Sequence, residues 1–192
     1  MLSERLQLKM YLEPSEHFEL EALIPVFHRF IRDQVIKELM IDVVDYSHVP
    51  DGPGVVLIGH AADYYVGALD GRPGLVYSRK RAAPAPEARL EDALRRLVNF
   101  GRLLEQDSSV KLRFRSNELS LRLTDRLHAV NDDASFAASK AEVEQIFGRV
   151  YGGSVAVERL LEPKGPLALA IKTSATPSLE ALLEKLGGPP AT

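Results

Sequence analysis

The chain contains no cysteine and no tryptophan among its 192 residues. Missing thiols exclude disulfide staples, zinc ribbons, iron–sulfur clusters and cysteine nucleophiles together. Aromatic residues make up only 7%, which leaves little material for the stacking platforms that hold single-stranded nucleic acid. An excess of one charge is also missing, since 24 Lys and Arg face 27 Asp and Glu for a net of −3. With a pI near 6.0, the sequence carries no electrostatic footprint for nucleic acid. Val55-Val56-Leu57-Ile58 is the longest run of large apolar residues, far below the ~20 residues of a membrane-spanning helix. Met1 to Leu6 lacks the basic-then-apolar pattern of a secretory signal. The expectation is a cytoplasmic protein with neither nucleic acid nor membrane as partner.

What remains is an ordinary globular balance of 45% hydrophobic and 27% charged residues, at a length that suits one domain. Acidic groups outnumber basic ones in residues 1–81, whereas residues 82–192 are balanced. Between these halves, Ala82-Ala83-Pro84-Ala85-Pro86 reads as an extended connection from strand to helix. A single α+β domain is expected over residues 1–186, with a sub-boundary conceivable at 82–88 and a flexible tail over 187–192.

Periodicity supplies the elements. Leu6, Leu8, Met10 and Leu12 alternate with polar neighbours, as in a half-buried strand. Val26, Phe27, Phe30, Ile31 and Val35 line one face of a helix starting near Pro25. Residues 40–48 read as a strand, and Val55 to Ile58, apolar on both faces, as an interior one. Residues 64–69 and 75–81 flank Asp70-Gly71-Arg72-Pro73, a hairpin signal. A helix from Pro86 to Glu105 follows, then a second hairpin from Lys111 to Thr124 turning at Asn117-Glu118. A helix from Ser135 to Tyr151 stops at Gly152-Gly153. Two strands, Val155 to Leu160 and Leu167 to Thr173, precede a last helix capped by Thr176 and started by Pro177. Hairpins alternating with about four packed helices predict a mostly antiparallel α+β fold.

The densest chemistry lies between residues 52 and 81. Gly52-Pro53-Gly54 precedes an apolar strand, Gly59-His60 follows it, and Asp70-Gly71-Arg72 and Arg79-Lys80 surround the hairpin. With Asp125-Arg126-Leu127 and Tyr151-Gly152-Gly153, these features resemble an uncharacterised family of bacterial intracellular proteins. The resemblance spans most of the chain and implies no activity, cofactor or catalytic residue.

Read from the residues, His60 beside Asp63 is a candidate general base with its orienting carboxylate, or a histidine that only caps a turn. With Asp70 to Pro73 as the loop, counting back places Tyr64 opposite Arg79, a cation–π pairing. The same count puts Gly67 opposite Val76, where another backbone or a ligand can approach closely. In the second hairpin, Arg113 faces Arg122. Like charges directly opposite call for an anionic ligand, an acidic partner or solvent. Asp42, Asp45, His48 and His60 match no metal-ligand spacing, so no metal is expected. Gly52-Pro53-Gly54 opens a strand rather than a helix, so it is no dinucleotide fingerprint, and no cofactor is expected.

Two functions follow. The first is a non-catalytic protein that binds a ligand or partner and forms homo-oligomers through a sheet edge or hairpin face. The second is an enzyme for a small anionic substrate, with His60 as base and Asp63 orienting it. Tyr64, Arg72, Arg79, Arg113 and Arg122 are the ligand-binding candidates for a small anion or an acidic protein partner.

Overall fold

The computed structural model of the chain describes residues 3–13, 19–50, 52–68, 71–160 and 165–190. Among the described residues, eight strands form one antiparallel sheet: β1 (Leu6–Leu12), β2 (Met40–Tyr46), β3 (Gly54–Gly59), β4 (Ala62–Gly67), β5 (Gly74–Arg79), β6 (Phe114–Leu123), β7 (Val155–Leu160) and β8 (Leu167–Thr173). The α-helices of the described residues are α1 (Leu23–Arg32), α2 (Arg89–Gln106), α3 (Asp133–Tyr151) and α4 (Leu179–Lys185). The class is α+β.

The strand order is β2-β3-β4-β5-β1-β6-β8-β7, and it has an internal symmetry that the sequence does not display. β1 and β6 lie side by side and antiparallel in the interior. After each of them a helix carries the chain to an outer edge, and a meander returns strand by strand toward the centre. A second helix then follows, and those two helices, α2 and α4, pack on each other. The result is two strand–helix–meander–helix halves related by an approximate two-fold axis between β1 and β6. The sheet is continuous across that axis. Residues 82–88 lie between β5 and α2 in the first half.

All four helices gather on one side. α1 lies on β2 and β3, α2 on β5 and β1, and α3 on β7 and β8. Leu6, Leu8, Met10 and Leu12 of β1 are all buried against this layer as predicted, but Lys9 and Tyr11 between them are buried as well, so the strand is not half-buried. At its centre the rings of Tyr64 and Phe100 stack at 4.4 Å, and Phe27 and Phe30 close on Phe100 at 5.7 and 5.9 Å. The residues between them in sequence face the other way, onto a side where no described helix packs.

Helix ends follow local chemistry. Asp132 caps α3 by accepting from Ser135 N–H at 2.7 Å, and Gly152 closes it in the left-handed region at φ 74°. Ser178, not Thr176, caps α4 by accepting from Ala181 N–H. Gly187 and Gly188, placed in the expected flexible tail, donate to Glu184 and Leu183 carbonyls and finish that helix.

Two pairing expectations are corrected. In the first hairpin Gly67 pairs with Gly74, so Tyr64 faces Tyr77 and Arg79 faces Ala62. The loop is longer than four residues; Leu69 and Asp70 at its start lie outside the described residues. Gly67 does admit a backbone, because a Cβ there would meet the Pro53 carbonyl oxygen at 2.5 Å. The second hairpin does not exist. Asn117 and Glu118 lie within the single strand β6, whose register against β1 slips between Met10 and Leu12. That irregularity absorbs the turn-like residues without reversing the chain.

Candidate functional site

The proposed acid–base pair is not assembled. His60 is exposed, and its backbone N–H donates to the Leu39 carbonyl at 2.8 Å. Asp63 instead accepts from Lys80 Nζ at 2.6 Å and from Gly59 N–H at 3.3 Å. Among the described residues no hydrogen bond or ion pair links the two side chains.

The ligand-binding candidates divide between the two sides of the sheet. Tyr64 and Arg79 point into the helix layer, where each is almost wholly buried. Arg79 reaches Asp92 at 2.5 Å, the Arg89 carbonyl at 3.0 Å and the Tyr77 hydroxyl at 3.2 Å, and its guanidinium lies 5.5 Å from the Tyr77 ring centre. The expected cation–π pair therefore forms with Tyr77 rather than Tyr64. Tyr64 donates its phenolic hydrogen to Glu38, which Arg96 also approaches at 3.5 Å. Burial pushes the Glu38 carboxyl above its ordinary range, and burial also pushes the Tyr64 phenol well up. Each group has its partner, and this reads as a buried network that ties α2, β4 and β5 to the residues entering β2.

Arg113 lies just before β6, exposed, donating to the carbonyls of Glu105 and Leu112 at 3.1 and 2.9 Å. It does not face Arg122. Arg122 sits between Gln7 on β1 and Ala168 on β8, so the like-charge pair inferred from the hairpin is absent.

Arg72 and Arg122 do share the uncovered side, and there the strand pairings assemble something the sequence conceals. One rung crosses all eight strands as Val44, Val56, Tyr65, Val76, Lys9, Ser120, Ala170 and Glu158. Its first half is apolar, and Val56, Tyr65, Val76 and Ile58 pack into a small hydrophobic island. Near the two-fold axis the character changes. The Lys9 stem runs over Gly74, and its ammonium donates to the Arg72 carbonyl. The Arg72 guanidinium lies 3.9 Å from the Tyr11 ring centre and grips Glu118 through both oxygens, at 2.8 and 2.9 Å. Arg115 reaches the same carboxylate at 3.0 Å and Lys172 at 3.8 Å. The Arg72 hydrogen bonds hold the Glu118 carboxyl below the usual range. Three cations thus converge on one carboxylate, with Lys9 beside them and Arg122 further along β6.

Arg115 was expected among the basic groups of the hairpin face, but Glu118 and Lys172 were not singled out by sequence. Glu118 looked like a turn residue, and only the β6–β8 register brings Lys172 to it. No signal in the sequence supplies that pairing.

No protein-family model matches the chain, and neither the curated proteins nor the solved structures contain a match. Among the described residues no helix is long and apolar enough to cross a membrane.

Proposed function

We propose that this is a non-catalytic binding protein that receives an acidic, partly apolar segment of a partner protein across the uncovered face of its sheet. The observation that carries the reading is the cluster of Arg72, Arg115 and Lys172 on Glu118, next to Lys9 and the Val56–Tyr65–Val76 island. A chain with net charge −3 concentrates positive charge there, which steers and orients an acidic partner. The apolar island supplies contact area for the partner's hydrophobic side chains.

On this face of the sheet, size favours a surface contact over a small ligand. The depression among Lys9, Tyr65, Ser120 and Arg122 holds about 20 Å³, room for about one water and far below the ~300 Å³ of small-molecule pockets. With no hydrogen bond or ion pair between the His60 and Asp63 side chains among the described residues, and with Arg79 and Arg72 on opposite sides of the sheet, the enzyme alternative has less support.

The test uses a fluorescein-labelled ten-residue peptide of alternating Glu and Leu, followed by anisotropy. Saturable binding is expected, with affinity falling about tenfold or more in a protein carrying Arg122→Glu and Lys172→Glu, equivalent to ~1.4 kcal/mol. A matching Lys–Leu peptide is expected not to bind. Absence of binding, equal binding of the basic peptide, or indifference to the charge reversals would each refute the proposal.

A further inference from the structure

On the helix side of the sheet, away from the partner surface, a cleft of about 200 Å³ opens between α2, the connection from α1 to β2 and the residues after α4. Tyr64 and Phe100, stacked on one another, lie on its floor, Ile36 and Leu103 stand on its walls, and Pro189 and Pro190 form a rim. We infer that this cleft binds a small organic monocarboxylate, with its carbon body on the apolar lining and its charge toward Arg102 and Lys37.

Three observations carry the inference. First, the Nε–H of Arg102 is buried without a hydrogen-bond acceptor. The terminal nitrogens of that guanidinium are committed along its own helix, to Asn99 and Gln106 at 3.0 Å each. The nearest carboxylate, that of the mostly exposed Glu180, stays 3.6 Å away. A buried donor without a hydrogen-bond acceptor carries a desolvation cost that the Glu180 carboxylate, held beyond hydrogen-bond reach, offsets only in part, so the Arg102 guanidinium keeps its pull on a further carboxylate.

Second, the charges leave one positive group over. Arg96 is balanced by Asp92 at 3.0 Å and by Glu38 at 3.5 Å. Arg102 has Glu180 beside it. Lys37 lines the cleft, exposed, with no ion pair among the described residues. One uncompensated cation matches one ligand charge, which is why a monocarboxylate fits better than a phosphate.

Third, the lining is predominantly carbon and rigid. A protein cavity of about 150 Å³ accepts benzene, so a cleft of about 200 Å³ takes a single ring or a short acyl chain. Arg96 is pinned on both sides, and the Tyr64 hydroxyl is held by Glu38. The site is therefore built before the ligand arrives, which limits the ordering cost of binding.

The probe is para-fluorobenzoate, titrated with the full chain and followed by fluorine NMR. Saturable binding is expected below about 10 mM, with about a tenfold loss of affinity in Lys37→Glu and in Arg102→Gln. Para-fluorobenzyl alcohol, similar in shape but uncharged, is expected to bind about tenfold more weakly. Lys37 is a surface residue, so its variant remains informative even if Arg102→Gln proves unstable in a thermal melt. The Arg122→Glu substitution on the opposite face is expected to leave para-fluorobenzoate binding unchanged, which keeps this test separate from that of the partner surface. Lack of saturable binding, indifference to Lys37→Glu, or equal binding of the alcohol would each overturn the inference.

Discussion

The hydroxyl of Tyr64, in the middle of β4, donates its hydrogen to Glu38, two residues before β2 begins. This bond joins Tyr64, through Glu38, to the buried network of Tyr77, Arg79, Asp92 and Arg96. Replacing Tyr64 by Phe leaves the Glu38 oxygen buried without that donor. A loss of about 1–3 kcal/mol is expected in urea unfolding, the usual cost of an unsatisfied buried polar group. A loss below a few tenths would mean that the bond contributes nothing.

Glu38 also sets a pH dependence. Its carboxyl titrates above the ordinary range because burial disfavours the charged form. A group raised on folding contributes stability that is complete below its unfolded pKa of about 4.3 and is lost as pH rises through the folded value. Glu38→Gln keeps an acceptor for Tyr64 and does not ionise. Its stability relative to the wild type is expected to rise between about pH 4 and pH 7. Equilibrium unfolding at a series of pH values checks this, and a flat or falling difference would contradict it.

Glu118 behaves with the opposite sign. The Arg72 hydrogen bonds depress its carboxyl, so its contribution is present above about pH 4.3 and disappears as pH falls through the lower folded value. Glu118→Gln is expected to cost roughly 1 kcal/mol at neutral pH, a modest figure because Arg72 and Lys172 are half exposed and solvent screens them. Once pH falls below that depressed folded value, the variant and the wild type should converge.

Gly67 tests the backbone approach on β4. A methyl group there meets the Pro53 carbonyl oxygen at 2.5 Å and its carbonyl carbon at 2.9 Å. Neither atom belongs to a flexible side chain, so Gly67→Ala is expected to cost about 1–3 kcal/mol through overpacking. A thermal melt unchanged from the wild type would show that the Pro53 segment can withdraw freely.

Self-association through the β2 edge meets specific obstacles. The Val43 N–H is taken by Asp42 at 2.8 Å, and the register against β3 is broken between Met40 and Asp42. Charge and irregularity of this kind protect an edge strand. Yet Leu39, Ile41, Tyr46 and Val49 are exposed along the same border. Removing the protection with Asp42→Ala is expected to raise the apparent mass in light scattering at high concentration. If mass does not change, Asp42 is not what guards this edge.

The sequence was most legible where one periodicity ran uninterrupted. The β1 alternation, the apolar stripe of α2 and the β7–β8 pair all appear within a residue or a few of their expected ends. Legibility failed where a turn-like dipeptide lay in a continuous strand, as at Asn117-Glu118. It failed again where a loop was longer than the shortest hairpin, which shifted Tyr64 from Arg79 to Tyr77. Alternation assigns a residue to a face only if the register is known. Strand order is not local information, so neither Lys172 beside Glu118 nor Glu38 beside Tyr64 could be read from spacing. Arg72 and Arg122 were both named as ligand-binding candidates, but their common face came only from the pairing of β1 with β5 and β6.

The most direct test of the partner surface is amide hydrogen exchange on the full chain, with and without the alternating Glu–Leu peptide. Slower exchange confined to β1, β5, β6 and β8, around Lys9, Val76, Glu118 and Lys172, is the predicted result. Protection confined to α1 and α2, or no protection at a peptide concentration that saturates the anisotropy signal, would contradict the account.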